Sequence, residues 1–197
     1  MFNSIDHKNY RLPLALLMLS LWTGVSLPVH ATLTPQFSLE DLTQAADAIV
    51  IATATHTKSV RVDGELVTRV TLEVEMALTG YTPGSIHVVV PGGIDLDRRI
   101  PIASVVPGQP RILRGERSLL FLRRLEPGSS DFGLVGDAQG RFVLLPNAAE
   151  NSVAVRDLSA VHLVTEEGPT RGRTTAVPEE LLVEHLRTLL ATQTRRR

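Results

Sequence analysis

The residues able to do chemistry are scattered along this chain rather than grouped. Beyond residue 31 the histidines are His56, His87, His162 and His185. A protein zinc site needs convergent ligands, at spacings such as HExxH or HxH, and none of the four is so paired. His87 alternates with Ile86 and Val88, which places it on the wetter face of a strand. In the run DLD, Asp95 and Asp97 offer oxygen ligands for a hard cation, but Arg98 and Arg99 follow at once. With neither a third acid nor a phosphate cradle beside them, they read as a solvated, self-compensating charge cluster. GSSDFG (128–133) lacks the GxSxG elbow of a nucleophilic serine and reads as a turn before a strand. Glu116 precedes an apolar run with no evident partner for general-base work, so it is expected as an edge charge that stops strand extension. PGG at Pro91, Gly92 and Gly93 is no phosphate loop, because no helix with GK[ST] follows. No catalytic residue, metal ligand or cofactor is assigned from these residues.

Composition narrows the partners. Residues 32–197 carry 18 basic and 20 acidic side chains of mixed order, which gives no electrostatic footprint for nucleic acid. Aromatics in that span are Phe37, Tyr81, Phe121, Phe132 and Phe142, too few for the stacking platforms of single-strand binders. Cysteine is absent, so thiol nucleophiles, thiolate metal sites and disulfides are excluded and packing alone must hold the fold.

The N-terminus points to export. Lys8 and Arg11 precede a run without charge to residue 31, and Val29 and Ala31 fit the −3 and −1 positions of a cleavage site. Residues 1–31 are therefore expected to be a signal peptide, with Thr32 as the new terminus. A retained anchor is the alternative, since 12–29 approaches the roughly 20 residues of a membrane span. Contact with a membrane is expected only in that case.

The elements that must position these side chains follow from periodicity. Ser38 and Asp41 resemble a capping box opening a short helix over 38–46. The run 48–52 is continuously apolar and β-branched, as in a strand buried on both faces. Asp63-Gly64 signals a two-residue hairpin turn. The returning strand, 66–78, alternates over thirteen positions, and that length implies bending around a barrel. SIHVVV, RSLLFLRRL, FGLVG and RFVLL read as further strands, with Gly140 of DAQG expected at positive φ. Between the third and fourth strands lie residues 91–116, with four prolines, four glycines and seven charges. Their apolar residues Ile94, Leu96, Ile100, Ile102, Val105, Val106, Ile112 and Leu113 are expected to cover the open end of the barrel core. Residues 167–177 read as a linker, 178–191 as a C-terminal helix started by Pro178, and 192–197 as a basic tail.

The order helix, ADAIVIATA, hairpin, VTLEVEMALTGYTPGSIHVVV, long loop and GERSLLFL resembles the netrin-like branch of the OB-fold, to which tissue inhibitors of metalloproteinases belong. It also resembles a group of exported bacterial proteins with the layout PGG…VPGQP…GE…LLFL. The resemblance covers residues 38–145 and implies an all-β class: a small antiparallel OB-like barrel over 32–166, with short N-terminal and C-terminal helices. In the inhibitors an N-terminal cysteine, held by disulfides, presents its α-amino group and carbonyl to the protease zinc. Here Thr32 would lead, with no cysteine to clamp it, and ordering a free terminus costs about 1–2 kcal/mol per residue.

The expected function is an exported, non-enzymatic module that binds another exported protein, for which the resemblance implies a protease, in particular an extracytoplasmic metalloprotease. The alternative is a structural accessory domain of the envelope without regulatory action. Contact residues are expected at Thr32, at the hairpin Asp63 and Gly64, and at Pro91, Gly92, Gly93, Asp95, Asp97, Arg98 and Arg99.

Overall fold

The chain folds around two strand segments, 48–52 and 118–122, that are buried on both faces. A computed structural model describes residues 33–80, 83–147 and 151–196. The expected signal peptide, residues 1–31, and Thr32 lie outside the described residues.

A short strand β1 (Leu33–Pro35) leads to helix α1 (Leu39–Ala45). Ser38 caps the helix: its hydroxyl accepts from the Asp41 N–H, and the Asp41 carboxylate accepts from the Ser38 N–H, the expected reciprocal box. Ala46 turns extended, and the long strands β2 (Ala48–Val62) and β3 (Glu65–Thr79) follow. Asp63 (φ 50°) and Gly64 (φ 86°) connect them, both left-handed as a type I′ hairpin requires. Strand β4 (Ser85–Pro91) returns beside β3, with Ile86, Val88 and Val90 buried and His87 on the wetter face.

Next come β5 (Gly93–Asp95), β6 (Ile102–Ser104), β7 (Arg117–Arg124), β8 (Asp131–Leu134), a 3₁₀ turn (Asp137–Gly140), β9 (Arg141–Pro146) and β10 (Ser152–Asp157). The chain ends with β11 (His162–Thr165), β12 (Gly168–Arg171), β13 (Thr174–Pro178) and helix α2 (Glu179–Arg196). The fold is β-rich, with two helices and one large, mostly antiparallel sheet in the order β13-β10-β9-β7-β2-β3-β4-β8. β8 pairs with β7 as well as, in parallel, with β4. β1, β11 and β12 form a three-stranded sheet, and β5 pairs with β6.

Packing explains why β2 and β7 sit at the centre. Ala48, Val50, Ala52 and Ala54 of β2 and Leu120 and Leu122 of β7 join Val70, Leu72, Ile86, Val88 and Phe132 in one core. Ile49 and Ile51 of β2, with Leu119 and Phe121 of β7, face the other way, onto Leu42 of α1, Phe142 and Leu144 of β9, and Leu182, Val183 and Leu186 of α2. Burying each such large side chain is worth about 1.5–3 kcal/mol. The expected strand buried on both faces is therefore present, with α1 against one of them.

Several expectations are corrected. Residues 167–177 are no linker: Thr174–Pro178 pairs with β10, and β12 pairs with β11, which satisfies their backbone groups. Pro178 closes β13 rather than opening the helix. α2 continues to Arg196, through the expected basic tail, because nothing from 192 onward breaks a helix. Gly140 does not take positive φ; Gly136 and Asp137 do. Gly140 is required by close approach instead, since a Cβ there would lie 2.1 Å from the Val135 carbonyl oxygen.

The crossing from β4 to β7 departs most. Of its eight apolar residues only Ile112 is buried, while Leu96, Ile100 and Val105 are 72%, 76% and 87% exposed. Of the crossing, Ile112 alone joins the buried cluster that holds Ile86, Val88 and Phe132. The crossing instead forms the β5–β6 hairpin, which stands beside the outer part of the β2–β3 hairpin.

Candidate functional site

The outer halves of β2 and β3 and the crossing form a single structure, joined to the core through buried Val70 and Ile112 and held otherwise by polar contacts. The crossing is latched where it begins. The Gly92 N–H donates to the Leu66 carbonyl (2.8 Å), the Thr68 hydroxyl donates to the Gly92 carbonyl (2.9 Å), and the Ile94 N–H donates to the Ser59 hydroxyl (3.0 Å). This contact dictates the PGG sequence. A Cβ on Gly93 (φ 148°) would lie 2.6 Å from Ser59 Oγ, and one on Gly92 (φ 91°) would lie 2.7 Å from the Ser104 carbonyl oxygen. Only glycine tolerates both the conformation and the approach.

Arg61 ties the hairpin tip to the crossing. Its Nη1 donates to the Gly64 carbonyl at 2.9 Å, while Nε and Nη2 donate to Asp95 Oδ2 at 3.1 and 3.0 Å. Arg98 Nε reaches the same oxygen at 3.2 Å. Hydrogen bonds from Arg61 hold the Asp95 carboxyl below the ordinary carboxylate range. The cation site that DLD suggested is thus occupied by two guanidinium groups of the chain itself. Among the described residues no group of three or more histidine, aspartate or glutamate side chains converges on a metal-sized space.

Between the latch and the rest of the crossing lies a groove of about 1000 Å³. Val70, Val90 and Ile112 are its buried apolar members, and Lys58, Arg111 and Arg114 are among its charged ones.

The structure thus brings together most of the expected contact residues. Asp63, Gly64, Pro91, Asp97, Arg98 and Arg99 are exposed around the Arg61–Asp95 link. Gly92 is buried and Gly93 half-buried, so these two act as the latch and not as a contact surface. Residues missed from sequence are Ser59, Arg61 and Thr68. Their signal was present in the alternation of the two long strands, but their partner lay about thirty residues away. Lys58, Arg111 and Arg114 carried no signal beyond charge.

Glu116 and the serines are engaged elsewhere. The Glu116 carboxylate lies 2.6 Å from Arg141 Nη2 and accepts the Ser118 hydroxyl, and both charged partners are largely buried. Far from being a lone edge charge, it anchors the start of β7 to β9. Ser129 turns the chain into β8, accepting the Asp131 N–H at 3.0 Å. A third ionic group joins β3, β7 and α2: Arg117 reaches Glu75 at 2.7 Å and grips Glu179 with both terminal nitrogens. The hydrogen bonds that Arg117 donates to Glu179, outweighing burial, hold Arg117 firmly protonated.

No protein-family model matches this chain, and no curated protein matches it. The functional reading therefore rests on the residues described above.

Proposed function

We propose that this protein is an exported, non-enzymatic module that binds another exported protein through the hairpin tip at 62–65 and the outer face of 94–100. One observation carries the reading: Leu96 and Ile100 stand largely exposed on a hairpin that Arg61, Asp95 and the glycine latch hold in place. Exposed apolar side chains ringed by charge mark interaction surfaces. Pre-ordering by the latch lowers the entropic cost of docking.

The OB-like part of this reading draws on strand pairing. The pairings β2–β3, β3–β4, β4–β8, β8–β7 and β7–β2 return to their start, and the single parallel pair among them is β4–β8. Such a ring suits a small five-stranded barrel of netrin-like type. A metalloprotease as partner follows from that resemblance alone, with the Thr32 amine as the group that would meet zinc.

Affinity capture with residues 32–197, followed by crosslinking, tests the module. One stoichiometric partner, lost on Leu96→Asp/Ile100→Asp, is the expected outcome. Co-fractionation with the envelope and no discrete partner would leave only the accessory-domain function. An inhibition assay against a zinc protease, with and without an N-terminal extension, addresses Thr32 separately.

A further inference from the structure

The groove has features that protein docking at the hairpin tip does not use. Its volume, about 1000 Å³, lies at the upper end of small-molecule sites. Its base is apolar and well packed, with Val70, Val90 and Ile112 at most 5% exposed. Its lining holds five basic side chains against two acidic ones, and Asp95, one of those two, is already neutralised by Arg61 and Arg98. Lys58, Arg111 and Arg114 line the groove and take part in no ion pair among the described residues.

The backbone along the latch side is engaged. The Gly92 N–H, the Gly92 carbonyl and the Ile94 N–H all have partners in β2 or β3. An extended peptide would find no free ladder there, and strand addition needs one. A ligand that asks only for apolar contact and a cationic neighbour fits better. We infer that the groove between the latch and residues 103–114 binds a soluble amphipathic organic anion, a single acyl chain ending in a carboxylate. The chain lies along the accessible apolar lining, Ile94, Val105, Val106 and Leu113, above the buried base, and the carboxylate meets Arg111 and Arg114, with Lys58 nearby. Neither this site nor its ligand depends on the protein-binding reading above.

Dodecanoate below its micelle concentration, titrated calorimetrically into residues 32–197, is the test. Saturable binding at one site is expected, weakened at least tenfold in Arg111→Glu/Arg114→Glu. Both positions are exposed, so the double variant should fold, and its thermal midpoint verifies this. Affinity should rise about twofold to fourfold per methylene from octanoate to dodecanoate, as burial of each CH₂ requires. Dodecyltrimethylammonium should bind at least tenfold more weakly. No binding, equal binding of the cation, or dodecanoate binding indifferent to the double substitution would each overturn the inference. So would binding to anionic phospholipid vesicles without binding of dodecanoate, which would make the surface a membrane contact. Should dodecanoate fail while a partner is still captured through Leu96 and Ile100, this site falls and the protein-binding reading stands.

Discussion

The β2–β3 hairpin changes character halfway along its length. At its root, Ala48–Ala54 is sealed on both faces, by β4, β7 and β8 on one side and by the helices and β9 on the other. Beyond Thr55 the same two strands, still paired, are half-buried or exposed except at Val70. β3 alternates apolar and polar residues along both parts, whereas β2 is continuously apolar only at the root, so the alternation of β3 does not decide burial. What decides it is whether a second layer stands opposite. The root has one on each face, and the outer arm has only the crossing, which is fastened by two glycines, two hydroxyls and a shared carboxylate.

The sharpest way to break this contrast is to cut the same kind of side chain from each part. Phe121→Ala, at a fully buried position facing the helices, should cost about 3–5 kcal/mol in chemical denaturation. Leu96→Ala should fall within about 0.5 kcal/mol of wild type. A loss above about 2 kcal/mol at Leu96 would mean that the arm has a core of its own.

Strain at the latch comes next. Gly93→Ala places a methyl 2.6 Å from Ser59 Oγ at φ 148°, which should cost about 1–3 kcal/mol. The outer arm has few buried side chains, so this cost is expected to fall on local opening of the crossing rather than on global unfolding. Limited proteolysis within residues 94–106 should accelerate several-fold, while the denaturation midpoint moves little. Equal rates in both proteins would show that the crossing is held by something other than the glycine seat.

Arg117 offers a milder probe on the packed side. Removing it with Arg117→Ala unties Glu179 and Glu75 from β7. The pairs are partly exposed, so a cost of about 1 kcal/mol is expected, discounted from the larger values of buried charged hydrogen bonds. Loss of helical signal at temperatures where the sheet persists would mean that this clamp, and not Leu182 and Leu186, holds α2.

The root was legible in the sequence and the arm was not, for the same reason. Ala48-Ile49-Val50-Ile51-Ala52 announces burial by its own composition, Asp63-Gly64 announces its turn, and Ser38 with Asp41 announces the helix start. Each of these signals is local. The crossing holds eight apolar residues, and counting them suggested a cover, but the β5–β6 pairing and the latch on β2 and β3 leave only Ile112 of them buried. Likewise, Thr174-Thr175-Ala176-Val177 looked like linker between Gly172 and Pro178, yet it found β10 as an edge to pair with. Asp95 was visible as a charge, but the pairing that uses it, with Arg61 of β2, is set only by the fold. The seats of Gly92 and Gly93 on β2 and β3 are nonlocal in the same way.

Acid should separate the two parts with the smallest effects of all. Burial pushes the Glu75 carboxyl up, but hydrogen bonds from Thr53 and Arg117 outweigh it and leave it lowered. Asp95 is lowered chiefly by Arg61. A carboxylate whose folded pKa is depressed contributes stability above its unfolded value, about 4, and loses it as pH falls through the folded value. Glu75→Gln should therefore lower the thermal midpoint at pH 7, and the gap from wild type should close below about pH 4. Asp95 lies in the arm, so its protonation should barely move the midpoint. It should instead speed exchange of the Ile94 amide, whose seat on Ser59 the Arg61 link holds in place. A midpoint gap in Glu75→Gln that persists at pH 3 would show that shape, not charge, fastens the root. If the Ile94 amide exchanges equally fast at pH 3 and pH 6, once corrected for intrinsic rates, Arg61 and Asp95 do not order the arm.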